Sequence, residues 1–236
     1  MRKVNSDKAL TARLRWAEEQ LGYRFNTQEL LKQALTHRSA SKKNNERLEF
    51  LGDALLNFIV ARRLYEQNKN DSEGDLSRLR AALVKGETLA DIGRELDVEP
   101  HIIVGPGELR SGGARRSSVL ANTVEALVGA VLLDGGFEAG EACVNRLMTE
   151  RLNTLPDAAS LKDSKTQLQE WLQGHGLGLP QYTVESVSGE PHQQIFFIQC
   201  LVEEKQISVS GQGSSRKGAE QDAAQHMLLK LISDNE

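Results

Sequence analysis

The stretch Asn44-Asn45-Glu46-Arg47-Leu48-Glu49-Phe50-Leu51-Gly52-Asp53-Ala54-Leu55-Leu56 decides the reading of this chain. Glu46, Glu49 and Asp53 stand at i, i+3 and i+7, a spacing that places them on one helix face. Leu48, Leu51, Leu55 and Leu56 form an apolar stripe beside them, so the helix has to pack. Like charges at helical spacing repel. A divalent cation is the simplest remedy, because Mg²⁺ takes hard oxygen ligands and keeps several waters.

A second cluster answers the first. Leu120-Ala121-Asn122-Thr123-Val124-Glu125-Ala126-Leu127-Val128-Gly129-Ala130 is again helical in pattern, with Asn122 and Glu125 at i, i+3. Its small residues Ala121, Ala126, Gly129 and Ala130 let another helix come close. If the two helices pack face to face, Glu49, Asp53, Asn122 and Glu125 converge on a metal. Either cluster alone reads equally well as a solvated acidic face. The pair, each set in apolar helix, weighs toward the metal.

The chain has 236 residues, enough for one large domain or two modest ones. At 39% hydrophobic and 26% charged it has the composition of an ordinary soluble protein. No apolar run approaches the roughly 20 residues that span a bilayer, and the first eight residues lack the apolar core of a signal peptide. Cys143 and Cys200 are the only cysteines and fall in different predicted domains, which argues against a disulfide framework or a cysteine zinc site. A reducing cytoplasm is the expected home, with no membrane partner.

Helical periodicity runs from Thr11 to about Leu155, with breakers at Gly22, Gly74, Pro100 and the glycine-rich stretch 105–113. The expectation is an all-α N-terminal domain over 1–155. A short linker follows at 156–162, where Pro156 and small residues interrupt the pattern. Residues 163–236 then read α-β-β-β-α: a helix from Ser164 to Gln173, strands around 182–187, 195–202 and 206–210, and a helix from Ser215 to Ile232. This is a small α+β domain.

The run from Glu46 to Asp53 closely resembles the signature of the ribonuclease III family. The resemblance continues through Leu35-Thr36-His37-Arg38-Ser39, Glu73-Gly74-Asp75-Leu76-Ser77-Arg78-Leu79-Arg80 and Gly105-Pro106-Gly107-Glu108, and it covers nearly the whole chain. In the C-terminal domain, the glycine-rich segment 211–214 leading into Ser215-Arg216-Lys217-Gly218-Ala219 resembles a double-stranded-RNA-binding domain. The resemblance implies a Mg²⁺-dependent endoribonuclease, with Mn²⁺ a possible substitute. It would cut double-stranded RNA to 5′-phosphate and 3′-hydroxyl ends, in ribosomal RNA and other RNA processing. It implies Glu49, Asp53, Asn122 and Glu125 as metal ligands, with Asp53 and Glu125 the least dispensable to catalysis. Glu46 and Glu73 would support them. It also implies a homodimer, since one centre cuts one strand and a two-fold axis supplies the second, with Phe50 as a candidate interface anchor or, alternatively, a core residue.

Asn122 departs from the family, where aspartate is usual. Its carbonyl oxygen can still face Mg²⁺ but brings no charge, so metal affinity should fall. It is read as a tolerated variant; the alternatives are an attenuated site and a double-stranded-RNA-binding protein that has lost catalysis. His37 is tempting as a general base but reads as a structural histidine, while His101 and His226 read as loop and surface residues.

RNA contacts are expected from Gln169 and Gln173 at i, i+4 on one helix, from His192 in a loop, and from Ser215, Arg216 and Lys217. The last three open a helix whose free N–H groups and dipole favour phosphate. Such a domain reads A-form shape over roughly 16 base pairs. Arg110, Arg115 and Arg116 form a second basic loop. Residues 1–155 carry a net +1 and the remainder a net −5, so the RNA-binding cations have to be concentrated on one surface.

Overall fold

In the computed structural model, residues 2–190 and 193–234 are described. Two compact units divide the chain, residues 1–158 and 159–236.

The first unit is helical, as its periodicity predicts. It contains α1 (Arg2–Leu21), α2 (Gln28–Ala34), α3 (Glu46–Gln67), α4 (Glu73–Val84), α5 (Gly86–Glu95), α6 (Pro106–Arg110) and α7 (Ser117–Asn153). Helix α3 buries Leu48, Leu55, Leu56, Ile59, Val60 and Leu64. Across from it α7 buries Val124, Leu127, Val128 and Val131. Removing each such side chain from water stabilises the fold by about 1.5–3 kcal/mol. Helix α5 lies against the same long helix, which makes α7 the centre of the unit.

By length and a mean hydropathy of 1.4, α7 could cross a bilayer, which the sequence reading did not expect of any segment. Most of that stretch is instead buried in this core. Gly136, at φ 81° and ψ −174°, breaks the helix into two segments. Asp134, just before the break, accepts hydrogen bonds from the Tyr23 hydroxyl at 2.9 Å and from the Asn26 and Thr27 backbone N–H groups at 2.6 and 2.9 Å.

Two long-range contacts fix the loops. Leu35 and His37 exchange backbone hydrogen bonds with Ile103, at 2.7 and 2.9 Å. The Trp16 indole donates to the Leu96 carbonyl at 2.8 Å and stacks on His101, ring centroids 4.4 Å apart. His101 is therefore half-buried rather than a plain surface residue, and burial and the nearby Arg13 hold its pKa below the usual histidine range.

The second unit contains α8 (Ser164–Gly174), β1 (Gln181–Ser188), β2 (Ile195–Val202), β3 (Ile207–Gly213) and α9 (Arg216–Ser233). The sheet is antiparallel in the order β1-β2-β3, with one irregularity between Val184 and Ser186. Leu168 and Leu172 of α8, Ile198, Cys200 and Val202 of β2, and Ala219, Ala223 and Met227 of α9 form its core. Strand β3 runs further than expected, taking in Gly211 and Gly213 rather than leaving them to a turn. A side chain on Gly211 would strike the Ala223 backbone, and one on Gly213 would lie 2.6 Å from the Ala219 nitrogen. The glycines let α9 lie directly on the strand. Ahead of α8, residues 158–161 form a 3₁₀ turn, and Lys162 pairs with Glu170 at 2.5 Å.

Candidate active site

Helices α3 and α7 cross with their backbones in contact. A side chain on Gly52 would strike the Glu125 carbonyl and lie 2.9 Å from the Gly129 nitrogen. One on Gly129 would strike the Leu48 carbonyl. This crossing sets Glu49 and Asp53, which flank Gly52, against Asn122 and Glu125.

The electrostatics record the proximity. Glu125 is half-buried, and its pKa is pushed up to about 7, first by desolvation and then by the charges of Asp53 and Glu49. Burial also raises Glu49; a hydrogen bond from the Asn122 amide opposes that rise, Glu46 and Asp53 add to it, and Arg38 offsets part. Asp53 accepts a hydrogen bond from the Asn57 amide at 2.8 Å. Asn57, one helical turn beyond Asp53, escaped the sequence reading although its i+4 spacing was visible.

Glu46, Glu49 and Asn122 line a cleft of about 300 Å³ with His37, Arg38, Asn45, Ser118 and Val119. Glu46 is exposed and is held by Asn44 at 3.1 Å and more loosely by Arg38 at 3.7 Å. Glu73 is elsewhere: it opens α4, accepts from the Ser77 hydroxyl at 2.9 Å, and borders a different hollow with Phe58, Arg62 and Tyr65. The cleft residues His37 and Arg38 come from a loop whose position no local pattern could give. His37 Nδ1 lies 2.8 Å from the Ser39 hydroxyl.

Among the described residues, no three His, Cys, Asp or Glu side chains are gathered tightly enough to form a ready-made metal cage. The donor chemistry nevertheless fits Mg²⁺: three carboxylates and an amide oxygen are hard ligands, and this ion retains waters in the remaining positions. Spread carboxylates are the expected resting arrangement for like charges, with Glu49 tied to Asn122 and Asp53 to Asn57.

In the second unit, Gln169 and Gln173 sit on the exposed face of α8, opposite Leu168 and Leu172. Ser215 is the N-cap of α9 and accepts from the Gly218 N–H at 3.1 Å. Arg216 pairs with Glu220 at 2.9 Å, and Glu220 also takes Lys165 at 2.7 Å. Lys217 is exposed and has no ion pair among the described residues. His192 lies outside the described residues. Back in the first unit, Arg115 and Arg116 are engaged by Glu99 and Glu108 at 2.7 and 2.8 Å in short helical turns, so this basic loop is more ordered than its glycines suggest. Phe50 is 77% exposed, which removes the core-packing alternative.

Comparison with known proteins agrees with this architecture. Residues 27–152 match the family described as Ribonuclease-III-like, and residues 164–231 match the double-stranded RNA binding motif. The chain is 55% identical over 218 residues to Ribonuclease 3 of Nitrosococcus oceani, covering 92% of this chain and 94% of that one. It is 52% identical over 211 residues to Ribonuclease 3 of Buchnera aphidicola, covering 89% and 93%. The solved nuclease domain of ribonuclease III from Campylobacter jejuni is 41% identical, with a TM-score of 0.57; the match covers 59% of this chain and 98% of that one. That structure is described as flexible in a region involved in dimer formation. The chain belongs to the ribonuclease III family of double-stranded-RNA endoribonucleases.

Proposed function

We propose that the α3–α7 crossing is the hydrolytic centre, with Mg²⁺ held by Glu49, Asp53, Asn122 and Glu125 and with Mn²⁺ as a substitute. The observation that carries this reading is the close Gly52–Gly129 backbone crossing, at which burial and the charges of Asp53 and Glu49 lift Glu125 to about 7. Such a group is poorly satisfied until a cation arrives.

When bound, the metal would lower the pKa of a water and offset charge on the phosphate. The chain's own residues do the remainder. Asp53 and Glu125 would supply anionic oxygen from the two helices, and Asn122, which hydrogen-bonds to Glu49, would offer a neutral carbonyl oxygen. Glu46, at the cleft edge, orients waters. Glu73, which borders a separate hollow, would support the centre from outside the ligand set. Water oxygen bonds to phosphorus, the bond to the 3′ oxygen breaks, and the leaving oxygen takes a proton. The products carry 5′-phosphate and 3′-hydroxyl ends.

Gln169, Gln173, His192, Ser215, Arg216 and Lys217 hold the duplex. Two copies related by a two-fold axis cut the two strands. Phe50 and Tyr65, exposed on α3, supply apolar contact for that pairing. Processing of ribosomal and other transcripts in the cytoplasm is the fitting role.

The test is a cleavage gel of long duplex RNA with Mg²⁺, comparing the parent chain with Glu125→Gln. Discrete shortening by the parent and none by the variant is expected. Equal cutting by both would remove Glu125 from the centre.

A further inference from the structure

We propose that Arg38 is a phosphate-holding residue of the active cleft, gripping the RNA backbone beside the carboxylates. The inference rests on reading the cleft as the RNA-cutting centre.

Three observations carry it. First, Arg38 is the only lysine or arginine among the residues lining a cleft that also contains Glu46, Glu49 and Asn122. A polyanion entering an acidic cleft meets repulsion that metal ions relieve only locally, and a cation at the rim attracts the next phosphate along.

Second, the backbone bearing Arg38 is pinned on both sides. His37 N–H donates to the Ile103 carbonyl at 2.9 Å, and Ala40 N–H donates to the His37 carbonyl at 2.9 Å. The Asn45 N–H donates to the Thr36 carbonyl at 2.9 Å. The Ser39 hydroxyl accepts from the Gly105 N–H at 2.9 Å, and a side chain on Gly105 would strike the Ser39 carbonyl. This fixes the origin of an otherwise solvated side chain, which is what positioning of a ligand requires.

Third, stability does not account for the arginine. Its ion pair with Glu46 is 3.7 Å long, and both side chains are more than half exposed. Exposed pairs of that kind contribute little. A guanidinium left so lightly engaged retains its planar set of donors for phosphate, which it can meet with two parallel hydrogen bonds.

The experiment uses the full chain carrying Glu125→Gln, with and without Arg38→Gln, in Mg²⁺. Duplex-RNA affinity is measured by fluorescence anisotropy across a salt series. Loss of one phosphate contact makes the slope of log affinity against log salt shallower by about one. In the otherwise unaltered chain, Arg38→Gln is expected to slow single-turnover cleavage roughly 10- to 100-fold, and Arg38→Lys to recover part of it, since lysine keeps the charge but not the fork. Thermal midpoints of the variants should match the parent, because no backbone bond described above uses the Arg38 side chain.

An unchanged salt slope overturns the proposal. So does an Arg38→Gln chain whose only change is a lower Mg²⁺ requirement, which would make Arg38 a simple shield of the acids. Cleavage by the Glu125→Gln chain itself would instead refute the reading of the centre, and so the two failures are distinguishable.

Discussion

Glu125→Gln should make the metal-free protein more stable at pH 8 while abolishing cleavage. The folded-state pKa of Glu125 is raised from 4.5 to about 7 by desolvation and by Asp53 and Glu49. For a raised pKa, the folded state holds the proton more tightly than the unfolded state. Stability is therefore fully present below about 4.5 and is lost as pH rises through about 7. Each pKa unit corresponds to about 1.4 kcal/mol. A sealed carboxyl displaced this far would cost about 3 kcal/mol at pH 8. Glu125 is only half-buried, and screening by water halves the figure to about 1.5 kcal/mol. Glutamine keeps the shape and never ionises. For a domain of this size the gain corresponds to a rise of about 3–6 °C in thermal midpoint. The assay is thermal unfolding in EDTA at pH 5 and pH 8, repeated with Mg²⁺. The variant should gain at pH 8 and hardly at pH 5, and Mg²⁺ should stabilise the parent more than the variant. An equal gain at both pH values, or none at pH 8, would refute the reasoning.

Gly52→Ala should destabilise the helical unit by about 3 kcal/mol, since the new methyl group would strike the Glu125 carbonyl and overpacking outweighs the roughly 1 kcal/mol of helix propensity gained. A thermal midpoint at or above the parent's would contradict the close crossing. Arg216→Ala with Lys217→Ala should weaken duplex binding about 10-fold at moderate salt and flatten its salt dependence, while leaving the Mg²⁺-induced thermal shift intact; loss of that shift would show that the two functions are not separable. Asn122→Asp should lower the Mg²⁺ concentration for half-maximal rate, with the difference narrowing at saturation, because a carboxylate attracts the ion where the amide does not. Identical Mg²⁺ titrations for parent and variant would count against Asn122 as a ligand.

The sequence made most of the helices of the candidate site visible because their information is periodic. Glu46, Glu49 and Asp53 recur at helical spacing beside Leu48, Leu55 and Leu56, and Asn122 and Glu125 do so within an apolar run. What periodicity cannot convey is where loops go. His37 and Arg38 reach the cleft because residues 35 and 37 bond to Ile103, far along the chain. His101 is half-buried because Trp16 stacks on it from another helix. Gly211 and Gly213 resembled turn residues, yet they extend a strand because α9 needs the space. Arg216 was visible as a cation, but its pairing with Glu220 depends on how its side chain turns along α9. An RNA phosphate held by Arg216, as proposed, would have to displace that pair or share the guanidinium with it.

The same two glycines that let α3 and α7 pack backbone to backbone also force the carboxylates together. Close packing and charge repulsion thus come from one geometric choice. The fold bears the repulsion by burying leucines and valines on either side of the crossing, and Asn122 reduces it by placing a neutral donor against Glu49. A carboxylate at that position would sharpen the attraction for a cation and worsen the metal-free state by the same interaction. In the proposed centre, Asn122 would therefore shift the balance toward stability without metal and toward a higher metal requirement for activity. Arg38 acts on the same side of that balance: it quiets the acids from the rim, and in the proposed reading it also presents the one lysine or arginine charge among the described cleft-lining residues to a phosphate.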